Sequence, residues 1–280
     1  MSGLSAPIEI SGLSKVFRQT TSGQSIVAID QLTLRIDPGE LVAIVGKTGC
    51  GKSTLFDLLI GLEHPTAGSI TIGTKTPYDD FNAFRGKIAT IFQQDRLFPW
   101  RSALDNVKLP LELIGVAEDV QEERAMTWLK RLGLEKFANA YPRELSGGMR
   151  QRVAIARAFA VQPEILLADE SFSALDEVTA NELRKTFVEL AREFKSTAIL
   201  ITHQLEEAMA VGDRIVVFGK SATLLADIRM MDWDRADYPL LREGIQNTLQ
   251  ANAPDPRLKR ETTIHPPLHV MPGPVPGMTE

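Results

Sequence analysis

The chain has 280 residues, a formal net charge of −5 and 44% hydrophobic residues. This composition is typical of a globular protein, and the length suggests roughly two domains. The acidic balance argues against a nucleic-acid partner, because such proteins carry dense basic runs. The longest apolar runs have about five residues and a membrane-spanning helix needs about 20, so a role at a membrane would require recruitment by other chains.

The N-terminus and the cysteine content bear on the compartment. Residues 1–7 lack a basic segment followed by an apolar core, which predicts no signal peptide. The single cysteine, Cys50, allows no intrachain disulfide and is consistent with a reducing compartment.

The first predicted elements are two strands, residues 8–10 and 32–36, with the polar residues 19–25 as a hairpin loop. Phe17 lies just before this loop. An aromatic ring there can stack on a nucleobase or can be a half-buried strand residue, and position alone leaves both interpretations open.

A glycine loop follows the next apolar run, residues 41–45, and leucines at helical spacing follow the loop. This order of strand, loop and helix fits the phosphate-binding pattern G-x-x-x-x-G-K-[ST]. The residues at its fixed positions are Gly46, Gly51, Lys52 and Ser53.

The chemistry of this loop follows from its residue types. Glycines let backbone N–H groups point inward as a nest for phosphate oxygens, and the following helix adds its positive end. Lys52 can reach the β- and γ-phosphates, the Ser53 hydroxyl can ligate Mg²⁺, and Thr54 can hold the α-phosphate.

Residues 69–72 and 88–92 are predicted strands, and Gln93 follows the second of them. A glutamine at the carboxyl end of a strand can contact Mg²⁺ or an attacking water. Taken alone, it is more simply a polar residue leaving a strand.

Helical periodicity replaces strands over about residues 95–142, where Trp128, Leu129 and Leu132 share one face. The apolar stretch 97–114 is either a docking surface for a membrane partner or the core of a small helical subdomain.

A second anion site is predicted where Ser146, Gly147 and Gly148 open a helix that runs to about residue 161. This site has no lysine to complete a phosphate cradle. It is therefore expected to be half of a site, facing a phosphate that is held elsewhere.

Two carboxylates, Asp169 and Glu170, end the buried strand that starts at Ile165. Neighbours on a strand point to opposite faces, so one is expected at a metal and the other at a water molecule. His203 directly follows the apolar strand 198–202. A histidine there can contact a γ-phosphate, although a lone histidine is usually structural.

The remaining predicted elements are an amphipathic helix over residues 177–194 and a strand over 214–218. Beyond about residue 221, Leu241, Ile245 and Leu249 indicate one more amphipathic helix, with Pro239 near its start. A proline-rich tail from Pro254 is predicted to form no regular element.

These motifs together resemble the ATP-binding subunits of ABC transporters over about residues 8–218. The resemblance rests on the order and spacing of six features: the phosphate loop, Gln93, the signature at 145–151, the strand 167–170, the loop 173–176 and His203.

The resemblance implies an α/β fold: a P-loop NTPase with a RecA-like core, an antiparallel β-subdomain and an inserted helical subdomain at about residues 95–160. It places the ATPase domain at residues 1–220 and a C-terminal extension with one short helix and a flexible tail at 221–280. It also implies a head-to-tail dimer, with two ATP molecules between the copies.

The roles that the resemblance implies are assigned by position. Phe17 stacks the adenine, Gln93 and Asp169 join Ser53 around Mg²⁺, Glu170 is the base for the attacking water, and His203 holds the γ-phosphate. Lys52 and Gln93 are counted with Glu170 and His203 as catalytic. The remaining implied nucleotide contacts are Thr48, Gly49, Cys50, Gln151 and Asp176, the last communicating across the dimer.

The implied partners are transmembrane permease subunits, a second ATPase subunit (identical or a paralogue) and, indirectly, a periplasmic or extracellular solute-binding protein. The implied location is the cytoplasmic face of the plasma membrane. Residues 92–101 and 105–107 are similar to those of importers for nitrate, sulfonates, taurine, bicarbonate and thiamine precursors.

Three positions depart from the family pattern. Ser171 stands where proline is usual, Gln204 where aspartate is common, and Phe17 where tyrosine is more usual. None of them replaces a catalytic group, so activity is expected to survive.

Two alternative functions remain open. One is an exporter or lipid-trafficking ATPase of the same fold. The other is a soluble ABC ATPase that acts on DNA or ribosomes, but such proteins carry coiled-coil arms or tandem ATPase units, and this chain has one phosphate loop and no sustained heptads.

Overall fold

A computed structural model describes residues 6–18, 24–173 and 175–258. Within these residues, nine strands form two sheets, and seven α-helices pack around them. The strands are β1 (Ile8–Arg18), β2 (Ser25–Ile36), β3 (Leu41–Gly46), β4 (Ala67–Ile72), β5 (Ile88–Ile91), β6 (Ile165–Asp169), β7 (Thr197–Thr202), β8 (Arg214–Phe218) and β9 (Leu224–Arg229). The helices are α1 (Lys52–Leu59), α2 (Ala103–Leu113), α3 (Glu118–Arg131), α4 (Gly147–Phe159), α5 (Glu177–Glu193), α6 (Leu205–Val211) and α7 (Tyr238–Ala251).

The larger sheet has the strand order β5-β6-β7-β3-β8-β9. All of its pairs are parallel except β8 with β9. Every residue of β3 and β7 is buried, as expected for central parallel strands covered on both faces. This arrangement brings the carboxyl ends of β3, β6 and β7 to one edge, where α/β sheets bind ligands.

The smaller sheet is antiparallel, in the order β2-β1-β4. Its buried residues share a core with α1 and with one face of the larger sheet. The opposite face of the larger sheet packs with α2 to α5 in a second core. The structure thus contains the α/β core, the antiparallel sheet and the helical subdomain that the sequence predicts.

The predicted elements are present with adjusted limits. β1 and β2 are longer than the predicted strands 8–10 and 32–36, and residues 81–84, which the sequence did not place, form a 3₁₀ turn. Most of the predicted hairpin loop (residues 19–23) and of the proline-rich tail (259–280) lies outside the described residues.

The C-terminal extension is part of the fold. The sequence did not predict β9, which lies beyond residue 220 and pairs antiparallel with β8. The predicted helix is α7, with Pro239 in its first turn and Leu241 and Ile245 buried in a third core with β8 and α6. The predicted extension at 221–280 therefore contains a strand as well as a helix, and the sheet continues across residue 220.

No helix in the described part of the chain is both long enough and apolar enough to cross a membrane.

Candidate active site

The phosphate loop connects β3, at the centre of the sheet, to α1, as the sequence predicts. Glycine is required at two of its positions by close packing. A Cβ at Gly46 would lie 2.6 Å from Cys50 Sγ, and one at Gly51 would lie 2.3 Å from the Ala28 carbonyl oxygen. Gly49 and Gly51 also have φ values of +79° and +111°, which L side chains rarely adopt.

The N-terminus of α1 is open to an anion. Gly51 caps the helix without a side-chain hydrogen bond, and the first turn has no acidic residue. The helix therefore presents backbone N–H groups and a positive dipole end to the loop. Thr48, Ser53 and Thr54 lie in the same stretch and are exposed or half-buried. These features fit the phosphates of a nucleotide.

Lys52 is held inside the loop. Its side chain is buried, and its Nζ donates hydrogen bonds to the carbonyl oxygens of Gly46 (2.7 Å) and Lys47 (3.1 Å). The carbonyl groups of the loop thus fix the position of the Lys52 ammonium group. A phosphate in the loop would give it an anionic partner in place of neutral carbonyls.

The Cys50 side chain lies beneath the phosphate loop. Its thiol is buried in the core, 3.9 Å from Lys52 Nζ, and burial raises its pKa against the opposing effect of Lys52. Its N–H group donates to the Lys47 carbonyl. The side chain therefore supports the loop, and the nucleotide contact assigned to Cys50 stays a prediction.

The two carboxylates have different neighbours, but strand alternation is not the reason. β6 ends at Asp169, and Glu170 follows with a φ of 45°, in the left-handed region. The Glu170 N–H group donates to the Ile201 carbonyl (2.8 Å), and its Oε1 lies 3.0 Å from His203 Nδ1. The structure thus brings Glu170 and His203 together through a left-handed residue just past the strand.

Asp169 is suited to a cation. Burial raises the pKa of Asp169, the neighbouring Glu170 raises it further, and Lys52 opposes both effects. A divalent cation would relieve the repulsion between the two carboxylates. Oxygen groups such as those of Ser53, Asp169 and Gln93 are the ligand type that Mg²⁺ prefers.

Protein carboxylates and imidazoles alone do not complete a metal site here. Across residues 6–18, 24–173 and 175–258, no group of three or more His, Cys, Asp or Glu side chains is arranged to hold a metal ion. Gln93 is exposed just beyond β5. An Mg²⁺ ion would therefore depend on hydroxyl, amide and nucleotide oxygens as well as Asp169.

Phe17 lies near the end of β1 with its side chain 37% exposed. The Lys15 ammonium lies 4.9 Å from the centre of the Phe17 ring. Lys15 Nζ also donates to Glu63 and to the His64 carbonyl, which fixes its position. A ring that is supported in this way and partly exposed remains suited to stacking on a base.

The predicted second anion site begins at Ser146, which caps α4 by accepting a hydrogen bond from the Met149 N–H group. Ser146, Gly147 and Gly148 line a shallow cavity of about 360 Å³ together with Asp176. Asp176 caps α5, and the hydrogen bonds that it accepts at Thr179 lower its pKa. No phosphate-loop residue lines this cavity, as expected for half of a site.

Gln151 does not line this cavity, and the nucleotide contact assigned to it stays a prediction. It is buried, and its Nε2 donates to the Ser171 carbonyl (2.7 Å). Ser171 is buried as well, and its hydroxyl donates to the Ile91 carbonyl at the end of β5 (2.8 Å). Ser171, which replaces the usual proline, therefore links α4, the carboxylate segment and the strand before Gln93.

A buried carboxylate, which sequence reasoning missed, lies behind His203. Glu207, on α6, is 1% exposed and accepts a hydrogen bond from the Thr202 hydroxyl. The Thr202 hydroxyl in turn accepts the Gln204 N–H group (3.0 Å), so these groups hold the backbone on both sides of His203. A glutamate in the first turn of a helix, four residues after a histidine, is ordinary in sequence, and only the fold reveals its burial.

We expect Glu207→Gln to change how stability depends on pH. Burial raises the pKa of Glu207 above its ordinary value of 4.5, and the Thr202 hydrogen bond only partly opposes this. A carboxyl with a raised pKa in the folded state costs stability as pH rises through that pKa. The melting temperature of the variant relative to wild type should therefore increase from about pH 4 to pH 8.

The measurement is thermal unfolding across that pH range, with Glu206→Gln as the control. Glu206 is the exposed neighbour on the same helix, where an ion pair contributes little. A flat difference between Glu207→Gln and wild type across the range would contradict the assignment.

The chain is similar to known proteins over most of its length. The family model described as ABC transporter matches residues 29–173. An uncharacterised ABC transporter ATP-binding protein of Methanocaldococcus jannaschii is 38% identical over 228 residues, covering 81% of this chain and 83% of the relative. A methionine import ATP-binding protein of Bacillus cereus is 40% identical over 221 residues, covering 78% of this chain but 65% of the relative, just under two thirds of its length.

A solved structure of similar fold is a dimeric ATP-binding cassette in a post-hydrolysis state, bound to ADP and phosphate. It is 34% identical to this chain with a TM-score of 0.72, and the match covers 80% of this chain and 98% of that one. None of these proteins singles out the nitrate, sulfonate, taurine or bicarbonate group.

Proposed function

The chain belongs to the ABC transporter family of ATP-binding proteins, and from this membership we propose that it powers an importer for a small polar solute. It is an ATPase with a P-loop fold that uses ATP and Mg²⁺. The observation that carries the proposal is the convergence of the phosphate loop, Asp169 and the Glu170–His203 pair at one edge of the sheet.

The catalytic roles follow from this arrangement. The loop N–H groups and Lys52 bind the phosphates and neutralise developing charge. Glu170 orients a water molecule in line with the γ-phosphate and accepts its proton, while His203, in contact with Glu170, holds the γ-phosphate. Ser53, Gln93 and Asp169 would hold Mg²⁺, which would supply further charge neutralisation when bound.

A second copy or a paralogue completes each site. The cavity at Ser146, Gly147 and Gly148 offers N–H groups and a helix N-terminus without a lysine. A phosphate held on Lys52 of one subunit supplies the anion that this surface lacks. The dimeric cassette of similar fold supports this arrangement. Closure on ATP then drives the membrane partner, and hydrolysis resets it.

The permease docks in an apolar groove between the sheet and α2, about 530 Å³ in volume. Part of the stretch 97–114 is buried in the core, and part of it is exposed at this groove. Leu97, Ala103, Val107 and Leu111 are buried in the core, while Leu113 and Ile114 line the groove and are exposed. Phe98 and Trp100 pack edge to face nearby, and Trp100 is 70% exposed.

We expect Leu113→Asp to abolish capture of the permease without changing ATP hydrolysis by the isolated chain. A carboxylate at this position would remove an apolar contact that a docking partner needs, and it would lie beside Arg85, which also lines the groove and donates to the Leu113 carbonyl. The measurement is a pull-down of the tagged chain from detergent-solubilised membranes of its own source. Leu62→Asp is the control, because Leu62 is also exposed but lies outside the groove.

The same pull-down tests the proposed function. A multi-span permease with a solute-binding protein would support the importer, and that protein's ligand would identify the solute. The relative in Bacillus cereus imports methionine by its name, whereas residues 92–101 favour the nitrate, sulfonate, taurine, bicarbonate or thiamine-precursor type. A permease without a binding protein would favour an exporter or a lipid-trafficking system. Ribosomal or DNA-associated partners would overturn the transport function.

A further inference from the structure

The C-terminal extension reaches the phosphate loop through one short segment. After β8, residues Lys220–Ala222 form a 3₁₀ turn beside the loop. The Ala222 N–H group donates to the Cys50 carbonyl (2.6 Å), and the Ser221 hydroxyl donates to the Val27 carbonyl on β2 (2.8 Å). Ala222 is fully buried, and its Cβ would lie 3.2 Å from a Cβ added at Gly51. The turn therefore packs directly against the loop.

This turn does not have a relaxed backbone. Ser221 and Ala222 are consecutive non-glycine residues, and both have a φ of 53°. The left-handed region is unfavourable for residues with a Cβ, and alanine has no side-chain polar group to compensate. The turn therefore needs support from its surroundings to keep this conformation.

Asn252, at the C-terminal cap of α7, supplies that support. Its Oδ1 accepts a hydrogen bond from the Lys220 N–H group (2.9 Å). The approach is close enough that a Cβ at Gly219 would lie 2.7 Å from the same oxygen. Asn252 itself is left-handed, with a φ of 51°.

The position of Asn252 is fixed by the packing of α7. Leu241 and Ile245 are fully buried against β8, β9 and α6. Near the helix end, the buried Thr248 hydroxyl donates to the Gly244 carbonyl and accepts the Asp255 N–H group. The chain on both sides of Asn252 is therefore anchored.

We propose that Asn252 is a positioning residue for the phosphate loop, through which the C-terminal helix sets the affinity for ATP. The path runs from Asn252 to Lys220, along the left-handed turn to Ala222, and from there to the Cys50 carbonyl. The inference rests on the proposed binding of ATP at this loop. It assigns a role to a segment outside the ATPase motifs.

The test compares Asn252→Gly with Asn252→Asp. Glycine keeps the left-handed backbone but removes Oδ1, and aspartate keeps an acceptor oxygen at the same place. Loss of one hydrogen bond predicts about fivefold weaker binding of Mg·ATP by Asn252→Gly, and Asn252→Asp should restore binding to within about twofold of wild type. In hydrolysis, KM for ATP should rise about fivefold while kcat stays unchanged.

Lys195→Gly is the matched control. Lys195 follows α5 and is also a non-glycine residue with a φ of 53°. It lies before the amino end of β7, whereas the phosphate loop follows the carboxyl end of β3. Its ATP affinity should equal that of wild type. Melting temperatures of all variants show whether binding changes follow global stability.

The outcomes separate the two proposals. No binding of Mg·ATP by wild type would overturn the proposed function. Normal wild-type binding with equal affinity in Asn252→Gly would overturn the role of Asn252 alone. Weakened binding by Asn252→Gly that Asn252→Asp does not restore would also overturn that role, because the acceptor oxygen would then be irrelevant.

Discussion

Replacing Glu170 with glutamine should lower the rate of ATP hydrolysis by about 10²- to 10⁴-fold, the usual contribution of a general base. Glutamine has nearly the same shape but cannot accept a proton from water. Oε1 of Glu170 also contacts His203 Nδ1, and the glutamine amide oxygen can keep that contact. The geometry around the γ-phosphate is therefore preserved while the base is lost.

Binding of Mg·ATP by Glu170→Gln should remain within about threefold of wild type, because Glu170 acts on water rather than on the nucleotide. The closed dimer should accumulate with ATP, which size-exclusion chromatography with and without ATP can detect. Phosphate release under single-turnover conditions gives the rate. The control is Glu164→Gln, since Glu164 lies just before β6 in an exposed ion pair with Lys87. Wild-type turnover by Glu170→Gln would contradict the assignment of the base.

Much of the fold could be predicted because its signals are local. The strand β8 was predicted with its observed limits, since its run of four apolar residues, Ile215 to Phe218, is buried on both faces and has few other structures available. The phosphate loop was predicted from glycine positions that the structure explains by contact: Gly46 against Cys50 and Gly51 against the Ala28 carbonyl. A position where any Cβ would clash must be glycine, so the sequence itself shows the requirement.

The rest depends on contacts between distant segments. β9 is a strand because it pairs with β8, and its own pattern is weak. Gln151 was assigned a nucleotide contact as part of the signature, and the sequence did not indicate that the fold places the Ser171 carbonyl beside it, 20 positions along the chain. Sequence spacing does not reveal which polar side chains become buried.

The carboxylates Asp169 and Glu170 show both what a local pattern predicts and what depends on contacts between distant segments. The residue types and their position at the end of β6 predicted a catalytic role. Alternation along the strand predicted opposite faces, yet β6 ends at Asp169 and Glu170 is left-handed. A non-glycine residue in this region requires support from its surroundings, here the Ile201 carbonyl and His203. Strained backbone at a reacting group is a tertiary property that no local pattern reports.

Replacing Lys52 with alanine should weaken the binding of ATP by about 100-fold, since two charge-assisted hydrogen bonds to phosphate contribute on the order of 3 kcal/mol in total. The effect should be larger than for any other residue of the loop. The other groups of the cradle are backbone N–H groups, which substitution does not remove, and the uncharged hydroxyls of Ser53 and Thr54, which form weaker hydrogen bonds than an ammonium group. The phosphate loop contains two lysines. Only Lys52 is buried, and its ammonium group is the full positive charge that the loop carbonyls hold in the cradle.

Binding of a fluorescent ATP analogue, titrated with and without Mg²⁺, measures this loss, and Lys47→Ala is the matched control. Lys47 lies in the same loop and contributes its carbonyl to Lys52, but its own side chain is exposed. Its replacement should leave the affinity within about twofold of wild type, because an exposed charge is screened by solvent. Equal losses in the two variants would show that general electrostatic attraction, rather than the held ammonium of Lys52, governs binding. Thermal unfolding without nucleotide should show a small loss for Lys52→Ala, because the carbonyls of Gly46 and Lys47 each lose a donor.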